Sequence, residues 1–203
     1  MTNNKSFIPQ RGDYRNLAVY KIASCIYVIT HHFANTYLGK GDRTIDQMVQ
    51  AARSGKQNIV EASVDGNTSR ETEIILMNVA RGSMHELQAD YEDFLLTHGF
   101  EKWDNNDPRT IQMRNYARNH SEPEVYLEKV KQRSPDTVAN VALTLIHQYD
   151  YLMVRLIESI KQRFLNEGGI KEEMYRARKA VKDNMIFGNS PSIEGVPHSG
   201  GGV

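Results

Sequence analysis

Cysteine is nearly absent from this 203-residue chain: Cys25 is its only cysteine, so no disulfide can form within the chain. That usage is typical of proteins in a reducing compartment, and we therefore expect a cytoplasmic protein. Cys25 lies in an apolar stretch with helical spacing. A free cysteine in such a place usually behaves as a small buried hydrophobic residue, and we predict this for Cys25.

Long apolar runs are absent as well. No segment approaches the roughly 18 consecutive apolar residues that a membrane-spanning helix needs. Residues 1–13 are polar, which does not match the charged and then apolar pattern of a signal peptide. The sequence therefore predicts neither a membrane span nor a secretory signal.

Net charge is the third absence, because 25 basic residues cancel 25 acidic ones. A neutral chain has no overall attraction for nucleic acid or for an anionic membrane surface. Any such attraction must come from local patches, so the distribution of charge along the chain is more informative than its sum.

The familiar motifs of enzyme and metal sites are missing too. The chain has no Walker-type loop, no Gly-x-Gly-x-x-Gly, no Cys-x-x-Cys and no Gly-x-Ser-x-Gly. It also lacks the Glu-x-x-His pairs of di-iron helical bundles. His147 and Asp150 have a spacing that suits two ligands on one helical face, but a surface or interface pair is the commoner reason for it. We predict a non-enzymatic protein with no catalytic residue, metal or cofactor.

Proline is scarce, and its placement favours long helices. The six prolines all lie outside three stretches, 14–38, 43–98 and 136–167. Since proline breaks a helix interior, these stretches are free to form helices. Apolar residues at helical spacing predict four long helices, at about 14–38, 43–63, 69–98 and 135–166.

Local signals predict where these helices begin and end. We expect Gly39 to take the left-handed conformation that ends the first helix, and Asp42 to cap the second. Residues 68–71 have the pattern of a capping box for the third helix. Asp107-Pro108 and residues 121–124 would each open a short helix.

The predicted fold is all-α: an antiparallel up-down four-helix bundle formed by residues 14–98 and 134–167. A short helical insertion, 99–133, precedes the last long helix. A basic C-terminal helix, 168–187, follows the bundle. The final segment, 188–203, is rich in Gly, Ser and Pro and is predicted to be disordered.

Charge is distributed unevenly along this neutral chain. From Glu86 to Asp107 there are seven acidic residues against Lys102 alone, and from Lys161 to Lys182 there are seven basic residues against three acidic ones. Three interpretations stay open: solvated helix faces, a basic surface for RNA phosphates, or head-to-tail contact between subunits. The candidate nucleic-acid contacts are Arg43, Arg53, Lys56, Arg176, Arg178 and Lys179.

Four polar residues interrupt helical segments of small and apolar residues. These are Arg53, Asn58, Glu61 and Arg81. They could form an internal polar network that fixes the register of the helices, since buried polar groups persist when they satisfy one another. Alternatively, Arg53, Lys56 and Arg81 face a partner.

The insertion carries the aromatic residues of a second functional hypothesis, a protein–protein adaptor. Trp103, Tyr116 and Tyr126 would be its anchors, because exposed aromatic side chains are often binding hot spots. The alternative is that they pack the insertion onto the bundle.

Several blocks of sequence resemble a known family. Residues 42–61, with Ala51-Ala52-Arg53-Ser54 leading to Asn58-Ile59-Val60-Glu61, resemble the hallmark of the four-helix-bundle proteins encoded by intervening sequences in bacterial 23S ribosomal RNA genes. Residues 80–87 resemble its second hallmark, and residues 69–71 also fit. The branch with a four helix bundle suffix domain is similar in residues 41–44, 103–104, 108–109 and 164–170. The family's Glu-Gly is here Glu61-Ala62.

The resemblance covers about residues 14–182 and implies a bundle that assembles into a pentameric ring. Related proteins include the accessory proteins of diversity-generating retroelements, which form a basic barrel that binds nucleic acid and a reverse transcriptase. Most of the family has no assigned activity. The sequence thus predicts a non-enzymatic oligomeric bundle protein, with RNA-binding or ribonucleoprotein accessory function as the leading hypothesis and an adaptor without nucleic-acid binding as the alternative.

Overall fold

The computed structural model describes residues 14–65, 69–168 and 170–187. All regular secondary structure in these residues is helical, which confirms the all-α prediction. A 3-10 turn at Tyr14–Asn16 is followed by α1 (Ala18–Tyr37), α2 (Thr44–Asp65), α3 (Arg70–Thr97), α4 (Pro108–Asn119), α5 (Pro123–Val130), α6 (Pro135–Glu167) and α7 (Ile170–Phe187). The predicted tail at 188–203 lies outside the described residues.

Two predicted helix signals need correction. Gly39 does not take the left-handed conformation: Leu38 ends α1 in an extended conformation, and the positive φ, of 88°, belongs to Gly41. The cap of α3 is Ser69, whose hydroxyl accepts a hydrogen bond from the Thr72 amide at 3.2 Å. Thr68, the first residue of the predicted capping box, lies outside the described residues.

Two other predicted caps are confirmed. Asp42 Oδ1 accepts from the Thr44 amide at 2.8 Å, and this bond lowers the pKa of Asp42. Asp107 Oδ1 accepts from the Arg109 amide at 2.8 Å. In both places a short acidic side chain satisfies an amide that the first helical turn would otherwise leave without a partner.

The four long helices contact one another in a closed order: α1 with α2, α2 with α3, α3 with α6, and α6 with α1. An aromatic cluster occupies the interior, where the Phe33 ring centroid is 4.9 Å from that of Tyr91 and 4.8 Å from that of Phe94. The buried Tyr91 hydroxyl donates to Thr30 Oγ1 at 3.0 Å. This hydrogen bond satisfies a polar group that burial would otherwise penalise.

The contact between α2 and α3 depends on small side chains. Gly55 is buried, and a Cβ atom there would lie 2.7 Å from Met84 Cε and 2.9 Å from Met84 Cγ. Beside it, Ser83 Oγ donates to Ser54 Oγ at 3.1 Å. Glycine therefore allows the two helices to approach closely, as the run of small residues in α2 indicates.

Cys25 is buried in this interior, with 1% of its surface exposed, which confirms its prediction as a core residue. Its thiol lies 3.5 Å from the carbonyl oxygen of Ser121, which precedes α5. Burial raises the pKa of the Cys25 thiol to about 12, and Glu122 and Glu124 add to the shift. The thiol is therefore protonated at neutral pH.

The insertion lies against the long helices, with α5 on α1 and α4 on α6. Asn140 of α6, 2% exposed, fixes the start of the insertion. Its Oδ1 accepts from the Trp103 amide at 2.8 Å, and its Nδ2 donates to the carbonyl oxygens of Glu101 at 3.0 Å and Asp136 at 2.9 Å. One buried amide thus replaces the hydrogen bonds that an irregular segment lacks.

No helix in the described part of the chain is both long enough and apolar enough to cross a membrane.

Candidate partner-binding surfaces

The candidate nucleic-acid residues near α2 differ in how available they are. Arg43 immediately precedes the helix and is exposed, as is Arg53. Lys56 is half-buried, with its Nζ 4.4 Å from the centroid of the Tyr27 ring on α1. Burial lowers the pKa of Lys56, and the neighbouring charge of Arg53 lowers it further. Lys56 thus takes part in a contact between α2 and α1.

The other three candidates, Arg176, Arg178 and Lys179, are exposed on α7. Within the residues that the structure describes, α7 makes no extensive contact with another helix. Its apolar residues Met174 and Val181, one heptad apart, are 43% and 54% exposed. Among its described side chains, α7 therefore presents both basic and apolar residues to the surface, and the described contacts do not join it to the α2 candidates.

The four residues of the predicted polar network do not come together. Arg53 and Glu61 are exposed on α2. Asn58 Nδ2 donates within the same helix, to the Ser54 carbonyl at 2.9 Å and to its hydroxyl at 3.1 Å. Arg81 instead contacts α6. The register between α2 and α3 is marked by Ser54 and Ser83 rather than by these four residues.

Arg81 forms a bidentate contact with Asp150, a residue that the sequence pattern had paired with His147. Arg81 Nε lies 2.5 Å from Asp150 Oδ1, and its Nη2 lies 3.3 Å from Oδ2. His85 Nε2 is 2.8 Å from the same Oδ1. A carboxylate held by two groups of α3 joins this helix firmly to α6.

The electrostatics of this cluster follow from its contacts. Burial raises the pKa of Asp150, but the hydrogen bonds from Arg81 and His85 outweigh it, so the net pKa is below the ordinary value. The bond to Asp150 raises the pKa of Arg81. For His147, burial lowers the pKa, and the charge of Lys102 contributes. Across the described ranges, no group of three or more His, Cys, Asp or Glu side chains is placed to hold a metal ion.

Ion pairs in the folded protein neutralise part of the negative charge of the acidic segment between residues 86 and 107. Lys102 Nζ lies 2.6 Å from Glu92 Oε1. Arg109, just beyond the segment, lies 2.6 Å from Asp107 and 3.2 Å from Glu101. The unneutralised part includes Asp90, whose pKa is raised by burial and by the charges of its acidic neighbours.

A groove of about 400 Å³ lies in the insertion and contains all three predicted adaptor anchors. Trp103 and Tyr116 are half-buried, whereas Tyr126 is 2% exposed and donates its hydroxyl to the His120 carbonyl at 2.9 Å. Tyr126 thus packs the insertion, as the alternative hypothesis expected. The groove is lined by Trp103, Arg109, Gln112, Met113, Tyr116, Tyr126, Lys129, Val130, Arg133, Thr137 and Val141.

Sequence reasoning missed the basic residues of this groove, Lys129 and Arg133. Their closeness in sequence was the available signal, although Arg133 lies in the turn after α5 and not in the helix with Lys129. That signal is weak, since such pairs are common on solvated surfaces. The aromatic side chains that share the groove come from other segments, which a search along the chain does not bring together.

Exposed apolar side chains form a further feature of α3 and α6, which contact each other. On α3, Ile75 is 55% and Val79 is 47% exposed. On α6, Tyr151 is 60% and Val154 is 44% exposed. Scattered exposed apolar residues are common, but pairs spaced by three or four residues place two such side chains on one face of each helix, which suits contact with another protein.

Comparison with protein-family models, curated proteins and solved structures finds no match to this chain. The resemblance to the family of intervening-sequence proteins therefore remains a prediction from the sequence blocks described above.

Proposed function

We propose that this chain is a non-enzymatic, cytoplasmic helical-bundle protein that assembles into an oligomer and binds RNA phosphates, as an RNA-binding or ribonucleoprotein accessory factor. The observation that carries this proposal is α7, a helix of 18 residues with exposed basic and apolar side chains and no extensive packing contact in the described chain. Exposed arginine and lysine side chains along one helix suit a polyanionic backbone.

The architecture that we propose is the antiparallel up-down bundle of α1, α2, α3 and α6. The closed order of contacts among these helices supports it. So does the order of interactions between α3 and α6: Arg81 contacts Asp150. Burial raises the pKa of Glu73, earlier in α3, and the charge of Arg163, later in α6, partly offsets this shift. Residues that pair in opposite chain order are expected of antiparallel neighbours.

The oligomer that we propose is a homopentamer, and this number comes from the family resemblance alone. Uncovered apolar residues favour assembly of some kind, because Met174 and Val181 on α7 have no packed partner helix in the described chain. An assembly would also multiply the basic helices presented to one RNA strand. Several weak phosphate contacts acting together bind much more tightly than one.

The proposal is tested by RNA binding at several salt concentrations, measured as the fluorescence anisotropy of a labelled single-stranded RNA. We expect affinity to fall steeply with salt, because each phosphate contact releases a counterion and contributes about −0.7 to the slope of log K against log salt. In the double variant Arg178→Ala/Lys179→Ala, both the affinity and the steepness of this slope should fall. A salt-independent affinity, or no binding at all, would refute RNA binding.

The control is the double variant Arg118→Ala/Arg155→Ala. It removes the same charge from two exposed positions on α4 and α6. Wild-type affinity and slope in this control would attribute the effect to α7 rather than to the loss of two charges anywhere on the protein. An equal loss in both double variants would contradict a role for α7 in particular.

A second candidate function, a protein–protein adaptor without nucleic-acid binding, is favoured by the exposed apolar residues on α3 and α6. The substitution Val79→Asp places a charge among them. If the protein fails to bind RNA, and if this substitution lowers its apparent mass in solution, the exposed apolar face of α3 is a protein contact. The adaptor would then be the better account.

A further inference from the structure

The groove in the insertion exists because its two helices pack on different neighbours. α4 lies on α6, whereas α5 lies on α1. The space between them has Thr137 and Val141 of α6 in its lining. Its volume of about 400 Å³ falls in the range of pockets that accept small ligands or single groups of larger ones.

The aromatic side of the groove is held in place by contacts within the insertion. The Tyr116 ring stacks on His120, with centroids 3.9 Å apart and planes inclined by 4°. It also meets the Tyr126 ring edge-on, with centroids 5.7 Å apart. Lys129 Nζ lies 5.0 Å from the centroid of the same Tyr116 ring, so this ring is covered by His120 and Lys129 and its rotamer is already set. Because Tyr126 is only 2% exposed, Trp103 is the aromatic side chain of the groove that a base can meet.

The cations of the groove fall into two classes. Arg109 is neutralised by Asp107 and Glu101. Its guanidinium lies 4.7 Å from the centroid of the Trp103 ring, so Arg109 helps to position Trp103. Lys129 and Arg133 are exposed, and in the described chain neither has a carboxylate within ion-pair distance.

These two unneutralised cations also line a second groove. Lys129 and Arg133 line an adjoining space of about 480 Å³, together with Glu128 and Gln132. The Glu128 carboxylate is occupied by Lys131, at 2.6 Å. The two grooves thus share the two cations that have no carboxylate partner in the described chain, which suits a ligand that carries more than one anion.

We propose that this groove binds single-stranded nucleic acid, with backbone phosphates on Lys129 and Arg133 and a base against Trp103. Bases stack on aromatic side chains whatever their sequence, and a phosphate is well bound by paired cationic side chains. An acidic peptide would match the two cations but would leave the aromatic lining without a stacking partner. The inference rests on the proposed RNA-binding function and adds a site distinct from α7.

Trp103 makes the inference directly testable, because it is the only tryptophan of the chain and lines the groove. The probe is a single-stranded oligouridine of about six nucleotides, titrated into the full-length protein while tryptophan fluorescence is recorded. We expect saturable quenching of Trp103. In Lys129→Ala/Arg133→Ala, the concentration at half-saturation should rise about tenfold or more, because two phosphate contacts are lost. In Arg118→Ala/Arg155→Ala it should not change.

RNA binding measured by anisotropy separates failure of this inference from failure of the proposed function. If RNA binds but Trp103 does not respond, or if Lys129→Ala/Arg133→Ala responds like the wild type, the groove is not the site while the function stands. If neither signal appears, both fail. Quenching that persists in Arg178→Ala/Lys179→Ala supports a groove that binds independently of α7, and its loss in that variant would overturn the groove as a separate site. Equal quenching by polyglutamate would overturn nucleic acid as the occupant and point to an acidic protein segment.

Discussion

At the scale of single residues, the carboxylate of Asp150 connects two of the long helices, α3 and α6. It accepts hydrogen bonds from two residues of α3, Arg81 and His85, at 2.5 and 2.8 Å. The Arg81 and Asp150 side chains are 35% and 28% exposed, so the pair is shielded enough to matter for stability but not fully desolvated.

The substitution Arg81→Ala should lower the free energy of unfolding by about 1–2 kcal/mol, because it removes a bidentate charged hydrogen bond and leaves Asp150 with a single partner. Thermal or denaturant unfolding measures this. The control Arg118→Ala should change stability by less than about 0.5 kcal/mol, because Arg118 is exposed and its hydrogen bond to Asn115 is 3.5 Å long. Unchanged melting of Arg81→Ala together with weaker RNA binding would instead place Arg81 at a partner surface.

The pH dependence of stability should carry the signature of Asp150. Its pKa is lowered in the folded protein, so its contribution is fully present above its unfolded pKa of about 3.9 and is lost as pH falls through the lower, folded value. Wild-type stability should therefore decline below about pH 4, and Asp150→Asn should decline less over that interval. Parallel unfolding curves of the two proteins down to acid pH would contradict this assignment.

At the scale of helices, Gly55 allows α2 to pack closely against α3. Gly55 faces the buried Met84, whereas Gly82 of α3 has no atom within 4 Å of a Cβ built on it. Two helical glycines on adjoining helices thus have opposite surroundings. They form a matched pair for testing how tightly these helices pack.

The substitution Gly55→Ala should destabilise the protein by about 1–2 kcal/mol, because the strain of an overpacked contact exceeds the gain of up to about 1 kcal/mol in helix propensity. Gly82→Ala gains the propensity without the contact and should stabilise by up to about 1 kcal/mol. Chemical denaturation of both variants gives the two signs. If both substitutions stabilise, Met84 has moved aside and the close approach is not a constraint.

The helices themselves could be predicted from the sequence, whereas their partners could not. Apolar spacing and the placement of proline gave the long helices, because both signals act within a few residues. Arg81 and Asp150 are 69 residues apart, and only the packing of α3 on α6 makes them partners. Gly41 rather than Gly39 takes the positive φ, and α1 ends at Leu38 in an extended conformation. Two glycines so close together could each take a positive φ, so the sequence alone does not decide between them.

The groove in the insertion shows the same limit for a candidate site. Trp103, Tyr116 and Tyr126 could be singled out because aromatic residues are conspicuous in a polar segment. That they share one groove with Lys129 and Arg133 depends on α4 and α5 packing against different helices. Composition identifies such residues, but only the fold decides which of them face a common space.

At the scale of the whole molecule, a neutral chain presents α7, which has exposed basic and apolar side chains and no extensive contact with another helix among the described residues. Pairing of Lys102 and Arg109 with carboxylates reduces the acidic segment, whereas Lys129 and Arg133 stay without acidic partners in the described chain. Local patches rather than net charge therefore decide what the protein attracts. Apolar residues left uncovered on α7 favour assembly as well.

The most direct test of this account is size-exclusion chromatography of the purified protein with light scattering and absorbance at both 260 and 280 nm. We predict a mass near five times the 23.2-kDa chain, with excess absorbance at 260 nm from bound nucleic acid. A particle of one chain mass with the absorbance ratio of protein alone would contradict both the assembly and the RNA binding.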